Sequence, residues 1–110
     1  MSNLKYLDHL VDYIDQDFWI TYKTEEGFVE AHCEGHSKQH VEHLIKDIDD
    51  LLKHDDRHMV DYVLGSSWAQ LGGPYFKTHV EYRHWFERIR AFFAEKLATF
   101  DNWGKYNPVA

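Results

Sequence analysis

The pattern of apolar and polar positions along the chain predicts five helices. In each of five stretches, apolar residues repeat at intervals of three and four, which places them on one face of a helix. These stretches are residues 4–14, 25–35, 38–52, 56–64 and about 78–97. The third is the clearest, because its apolar positions follow this rule over more than three turns.

Residues that start and stop helices stand at the borders of these stretches. Ser or Thr, Asn and Asp side chains accept hydrogen bonds from the free backbone N–H groups of a first turn, and glycine often follows a last turn. Ser2 or Asn3, Thr24, Ser37 and Asp55 are the expected N-caps, whereas Gly35 and Gly65 follow two helices. Residues 17–24 could be a short extended piece, but their length favours a connector; residues 67–78 read as a loop and 102–110 as an irregular tail. We therefore predict an all-α bundle of about five amphipathic helices, in a single domain over residues 1–110.

Charge is divided unevenly along the chain. Residues 1–62 contain 15 Asp and Glu against 6 Lys and Arg, a net charge of −9, whereas residues 63–110 carry +2. Such an acidic field repels nucleic acid and anionic lipid and attracts basic proteins. We expect a basic protein partner, with no direct binding to nucleic acid or membrane. Arg83, Arg88 and Arg90 are expected to pair with the acidic helices.

Cysteine content and the distribution of apolar residues indicate the cellular compartment of the protein. Cys33 is the single cysteine, so no disulfide can form within the chain, and we expect a buried, inert thiol in a reducing compartment. The first residues lack a basic segment followed by an apolar run, and no stretch is apolar enough to cross a membrane. These features predict a cytoplasmic protein.

Nine histidines raise the question of a metal site. His32, His36, His40 and His43 follow one another at intervals of four, four and three, which would place their rings on one face of a continuous helix. Gly35 and Ser37 are expected to break the helix there, so the spacing loses its geometric meaning. We therefore expect solvated histidines, with no metal and no cofactor.

A second polar stripe lies on the helix that Ser37 begins. His43, Asp47, Asp50 and His54 fall on a face away from its apolar residues, where they could bind a divalent cation or exchange protons. A solvated or partner-facing surface is the simpler interpretation, because catalytic carboxylates need a pocket that shifts their pKa. A metal-dependent enzyme is kept as an alternative, and a helical adaptor for another basic protein as a further one.

Three segments resemble the immunity proteins of bacterial contact-dependent growth inhibition systems. They are Tyr13-Ile14-Asp15-Gln16-Asp17-Phe18, the helix 44–52 with Asp55-Asp56 and Val63-Leu64-Gly65 after it, and Tyr82-Arg83-His84-Trp85-Phe86-Glu87-Arg88-Ile89. The resemblance covers about residues 4–97, with Phe86 where Leu is usual. It implies a non-enzymatic protein that binds the C-terminal toxin domain of a matching delivery protein. Such toxins are often nucleases, commonly ribonucleases that act on transfer RNA.

The resemblance and the charge pattern together suggest how a toxin would be blocked. A nuclease is basic where it holds phosphate, so acidic helices could occlude its active site. Aromatic residues would add anchors, since they dominate many interfaces. The expected toxin-binding residues are Asp47, Asp50, His54, Asp55, Asp56, Asp61, Tyr62, Trp68, Asp12 and Trp19. A second possible face lies on the first helix, with Asp8, Asp12, Asp15 and Asp17.

Overall fold

A computed structural model describes residues 4–14, 18–65 and 79–104, with the backbone alone at positions 18, 19, 56 and 79. The described residues form six helices and no strand, so the all-α prediction is confirmed. The helices are α1 (Lys5–Val11), α2 (Phe18–Tyr22), α3 (Glu25–Gly35), α4 (Lys38–Leu52), α5 (Asp56–Leu64) and α6 (His79–Thr99). The predicted loop at 67–78 and most of the predicted tail lie outside the described residues.

Three of the predicted N-caps are confirmed by hydrogen bonds. The side-chain oxygens of Thr24, Ser37 and Asp55 each accept from the backbone N–H three residues later, at 2.9, 3.1 and 2.8 Å. These bonds satisfy backbone donors that a first turn leaves unpaired. At α1 the N-cap position belongs to Leu4, which makes no side-chain cap bond, so the prediction of Ser2 or Asn3 is wrong.

The short helix α2 occupies the stretch that we interpreted as a connector, and that interpretation is wrong. The segment is rich in aromatic and β-branched residues, which are poor helix formers. Packing against α3 overrides this preference: the Tyr22 ring meets the Phe28 ring edge-on, with centroids 5.0 Å apart. The turn that joins α2 to α3 is tight, because a Cβ atom on Gly27 would overlap the carbonyl oxygen of Tyr22.

Helix α6 is the centre of the core and packs against α3, α4 and α5. The predicted inward face is largely correct, since five of its large side chains are buried and Phe92 and Leu97 are half-buried. The buried hydrophobic residues of α6 are Tyr82, Trp85, Phe86, Ile89 and Phe93. Helix α1 packs on α4 and buries Leu7, Leu10 and Val11. Leu64, expected on the apolar face of α5, is 56% exposed at the end of that helix.

The cations of α6 bind groups on neighbouring helices. Arg88 donates two hydrogen bonds to Glu25, both of 2.8 Å, and Arg90 donates two to Asp49, of 2.8 and 3.2 Å. The predicted ion pairing is confirmed for these two arginines. Arg83 donates hydrogen bonds to backbone carbonyl oxygens at the end of α4. The fourth cation of α6 is the buried Lys96. Its Nζ atom lies 3.5 Å from Oε2 of Glu26 and 3.1 Å from Oε1 of Glu30.

Two further features of the described residues bear on the sequence predictions. Cys33 is buried, and burial raises the pKa of its thiol to about 12, so the prediction of a buried thiol is confirmed. None of the helices that the structure describes combines the length and the apolar character that a membrane crossing requires.

Candidate functional site

Acidic side chains from α1, from the residue after it and from α4 lie around Tyr62. The hydroxyl group of Tyr62, on α5, donates a hydrogen bond of 2.7 Å to Oδ1 of Asp8, on α1. Burial and this bond raise the pKa of Tyr62 above its usual value, and the charges of Asp8, Asp47 and Asp12 act in the same direction. We call Asp8, Asp12, Asp47 and Asp50 the acidic cluster. It joins residues from the two docking faces that the sequence left as alternatives.

Asp47 is the buried member of the acidic cluster. Only 9% of its surface is exposed, and its Oδ2 atom accepts hydrogen bonds from the backbone N–H groups of Tyr6 at 2.9 Å and Leu7 at 3.1 Å. Asp47 therefore supplies the side-chain cap that α1 lacks at Leu4. The expectation that Asp47 lies on a solvated stripe is wrong, because α1 covers that part of α4.

Burial decides the ionisation of Asp47. It raises the pKa of this carboxyl group above its ordinary value of 3.8, and the charges of Asp50 and Asp8 raise it further. The two backbone hydrogen bonds oppose this shift, because they favour the charged carboxylate. Periodicity alone gave no signal for this role, because it does not show which helix lies over a polar position.

Three of the predicted carboxylates lie where a partner could reach them. Asp12, Asp50 and Asp61 are exposed, on or directly after α1, on α4 and on α5. The carboxylate of Asp50 lies 3.5 Å from the ammonium group of Lys53, in a pair that is itself largely exposed. Tyr62 is half-buried, with its hydroxyl group turned to Asp8.

The remaining predicted residues divide between the α4–α5 junction and positions outside the described residues. Asp55 is exposed and caps α5. The exposed His54 ring stacks on His58, with centroids 3.9 Å apart and an angle of 21°. Trp68 and the side chains of Trp19 and Asp56 lie outside the described residues.

Four histidines from α1, α3 and α4 meet on another side of α1. His32 and His36 are buried, at 5% and 7% exposure, whereas His40 is half-buried and His9 is exposed. The His36 ring stacks on His32 with a centroid distance of 4.0 Å and on His40 with one of 4.3 Å. We call His9, His32, His36 and His40 the histidine cluster.

The histidine cluster corrects an expectation from the sequence. Helix α3 ends at Gly35 and α4 begins at Lys38, so the predicted break is present. Only His36 and Ser37 separate the two helices, and the imidazoles therefore stay together across the break. Solvated histidines were expected here, and for His32 and His36 this is wrong.

A cavity of about 290 Å³ opens beside the histidine cluster, between α1, α2 and α3. Its walls include His9, Tyr13, Tyr22, Phe28, His32 and His36. Apolar walls with a few ring nitrogens could receive an aromatic or aliphatic group. Helical spacing does not predict this cavity, because it does not show how successive helices pack against one another.

The structure does not assemble the alternative enzyme site. His43 stacks on Tyr6, with centroids 4.9 Å apart and an angle of 11°, while Asp47 faces the start of α1. His54 lies at the far end of α4, beside His58. Among the described residues, the group with metal-ligating atoms close together is His32, His36 and His40.

The fold and these surfaces define a small all-helical protein with clustered carboxylates. The family described as CdiI immunity protein matches residues 3–93, which is most of the chain. The chain belongs to this family, and it is a toxin-neutralising immunity protein of contact-dependent growth inhibition. The resemblance found in the sequence is thereby confirmed. No curated protein and no solved structure matches the chain significantly.

Proposed function

We propose that the protein neutralises a nuclease toxin, most simply a ribonuclease, by covering its basic active site with the acidic surface of α1, α4 and α5. The cognate toxin domain is the partner. The protein acts as a stoichiometric inhibitor without catalytic turnover and without a cofactor for inhibition. It works in the cytoplasm of the producing cell, in keeping with its one free and buried cysteine.

The observation that carries this proposal is the division of the acidic residues into two groups. Glu25, Glu26, Glu30 and Asp49 are paired with the cations of α6. Asp8, Asp12 and Asp47 lie around Tyr62, and Asp50 acts on Asp47 from the same helix. Carboxylates placed in this way can take the positions of substrate phosphates on a basic surface.

Individual residues have different parts in this proposal. Asp12, Asp50, Asp55 and Asp61 make the charged contacts, and we expect His54, Asp56, Tyr62, Trp68 and Trp19 to contact the toxin as well. Asp47 positions α1 and does not contact the toxin. Each exposed charge contributes only about 0–1 kcal/mol, so the surface acts as a group.

A charge-matched pair of variants tests the docking surface. The test variant carries Asp12→Asn, Asp50→Asn and Asp61→Asn, and the control carries Glu87→Gln, Glu95→Gln and Asp101→Asn, all at exposed positions. Both remove three negative charges, so they differ only in where the charge is lost. We expect the test variant to bind the toxin domain about tenfold more weakly, with a flatter salt dependence, and the control to stay within about twofold. Calorimetry at low and high salt measures both quantities.

The two variants also separate general from local electrostatics. Equal weakening in both would assign the effect to net charge, and unchanged binding in both would reject this surface. A titration of the toxin domain's ribonuclease activity tests the remaining parts of the proposal. We expect inhibition to be complete when one immunity protein has been added per toxin molecule. A toxin without nuclease activity would contradict the proposed target.

A further inference from the structure

The ring nitrogens of the histidine cluster are spaced like the ligands of a metal ion. The Nε2 atoms of His32 and His40 are 3.3 Å apart, and those of His9 and His36 are 3.0 Å apart. In a tetrahedral zinc site with Zn–N distances of about 2.0–2.1 Å, two ligand nitrogens are separated by about 3.3–3.4 Å. One ligand atom from each of His32, His36 and His40 lies within 4.8 Å of the others.

A backbone contact prepares His36 for this role. Its Nδ1 atom lies 2.8 Å from the carbonyl oxygen of His32, which can only accept a hydrogen bond. Nδ1 must therefore carry the proton, and Nε2 presents a lone pair to the centre of the cluster. Histidines that ligate metals commonly donate their second ring nitrogen to a backbone carbonyl in this way.

The other rings of the cluster are also suited to bind a cation. Burial lowers the pKa of His32, His36 and His40, that of His40 to about 4, and neighbouring histidines lower those of His32 and His40 further. A lowered pKa favours the neutral ring, which is the form in which imidazole binds metals. Four imidazoles without a carboxylate suit zinc and its transition-metal neighbours and do not suit calcium or magnesium.

We propose that His32, His36 and His40 bind one Zn²⁺ ion, and that His9 completes its coordination from α1. The ion ties α1 to the junction of α3 and α4. Three of the ligands come from the nine-residue stretch 32–40, and the fourth comes from a helix that packs on α4. Zinc in this position stabilises the arrangement of the helices that carry the acidic cluster. This proposal is independent of how the toxin is bound.

Direct titration tests the zinc site. The untagged full-length chain, treated with a chelator and dialysed, is titrated with Zn²⁺ in a calorimeter, and Co²⁺ serves as an optical probe of tetrahedral geometry. We expect one ion per chain, a tetrahedral Co²⁺ spectrum, and a Tm that rises by at least about 5 °C when zinc is in hundredfold excess over its Kd. An absence of binding would leave a network of neutral imidazoles and overturn the proposal.

Variants locate the ion within the chain. Replacing buried His32 or His36 risks unfolding, so the test uses the half-buried His40, as His40→Gln, and the exposed His9, as His9→Gln. The control is His54→Gln with His58→Gln, which removes an exposed stacked histidine pair elsewhere. We expect His40→Gln to weaken binding by at least about a hundredfold, His9→Gln by less, and the control to bind as the unaltered chain does. Equal zinc affinity in His40→Gln and the control, with helicity retained, contradicts the site.

Discussion

At the scale of single residues, Asp47 joins two helices through one carboxylate oxygen. It accepts two backbone hydrogen bonds at the start of α1, from a position in the middle of α4. An N-cap is usually supplied by the residue just before the helix, and here it is supplied from 40 residues further along the chain. Asp47 therefore fixes where α1 begins and how it lies on α4.

Replacing Asp47 tests this capping role. We expect Asp47→Ala to lower the free energy of unfolding by about 1–2 kcal/mol, because two backbone donors lose their acceptor in a partly buried place. Asp47→Asn should cost clearly less, since its amide oxygen still accepts. Asp50→Ala, three residues further along the same helix and exposed, should change stability by less than about 0.5 kcal/mol. Urea unfolding measures all three, and an Asp47→Ala variant as stable as Asp50→Ala would refute the cap.

The ionisation of Asp47 gives a pH dependence with a definite sign. Burial raises the pKa of its carboxyl group in the folded protein above 3.8, so the folded state binds the proton more tightly than the unfolded state. The stability from this group is present at low pH and decreases as the pH rises through the folded-state pKa. Asp47→Asn removes this titration. Its free energy of unfolding, relative to the unaltered chain, should therefore increase between about pH 3 and about pH 7. A constant difference across that range would contradict the shift.

Asp47 and His36 show what the sequence can and cannot predict at this scale. The sequence pattern correctly predicted the break between α3 and α4 from Gly35 and Ser37, whereas it put Asp47 on a face away from the apolar residues and the structure buries it. The pattern did not show that α1 lies over Asp47, or that two helices separated by two residues keep their histidines in contact. Both facts depend on packing between elements, which a local pattern does not contain.

At the scale of helices, the cations of α6 hold its neighbours in two different ways. Arg88 and Arg90 reach carboxylates on exposed or half-exposed surfaces. Arg83 donates to the carbonyl oxygens of Leu52 at 2.9 Å and His54 at 2.6 Å. These carbonyls lie at the end of α4, where the helix leaves acceptors without partners and its dipole favours a cation. Arg83 thus acts as a C-terminal cap for α4.

The two kinds of contact should differ in their effect on stability. We expect Arg83→Ala to lower the free energy of unfolding by about 2 kcal/mol, because it leaves the acceptors at the end of α4 without their charged donor. Arg88→Ala, on the same helix, should cost less than about 1 kcal/mol, because water screens its pair with Glu25. Thermal and urea unfolding of both variants provide the comparison. A larger loss of unfolding free energy for Arg88→Ala than for Arg83→Ala would contradict the capping role of Arg83.

The helices themselves were largely predictable from the sequence. Thr24, Ser37 and Asp55 each precede an amphipathic stretch, and capping chemistry and apolar spacing there point to the same start. Helix α2 was missed because its five residues are too few to show a helical repeat of apolar positions. Contacts with α3 maintain it, and contacts of this kind do not follow from local propensity.

At the scale of the whole molecule, the sequence predicted that acid is concentrated in residues 1–62 and that the arginines of α6 pair with some of it. The sequence could not identify which carboxylates pair with these arginines. The structure assigns Glu25 and Asp49 to the arginines and places Asp8, Asp12 and Asp47 around Tyr62. The distribution of charge over the surface therefore depends on the tertiary structure as much as on composition, and so does the docking surface proposed above.

The buried position of Cys33 has a practical consequence. No part of its side chain is exposed, and it is the only cysteine of the chain. A thiol-reactive label can attach at one site only, and it reaches that site when α3 separates from the core. The rate at which the mass of the chain increases thus records spontaneous opening of the native protein, and repeating the measurement with bound toxin reports how strongly complex formation suppresses that opening.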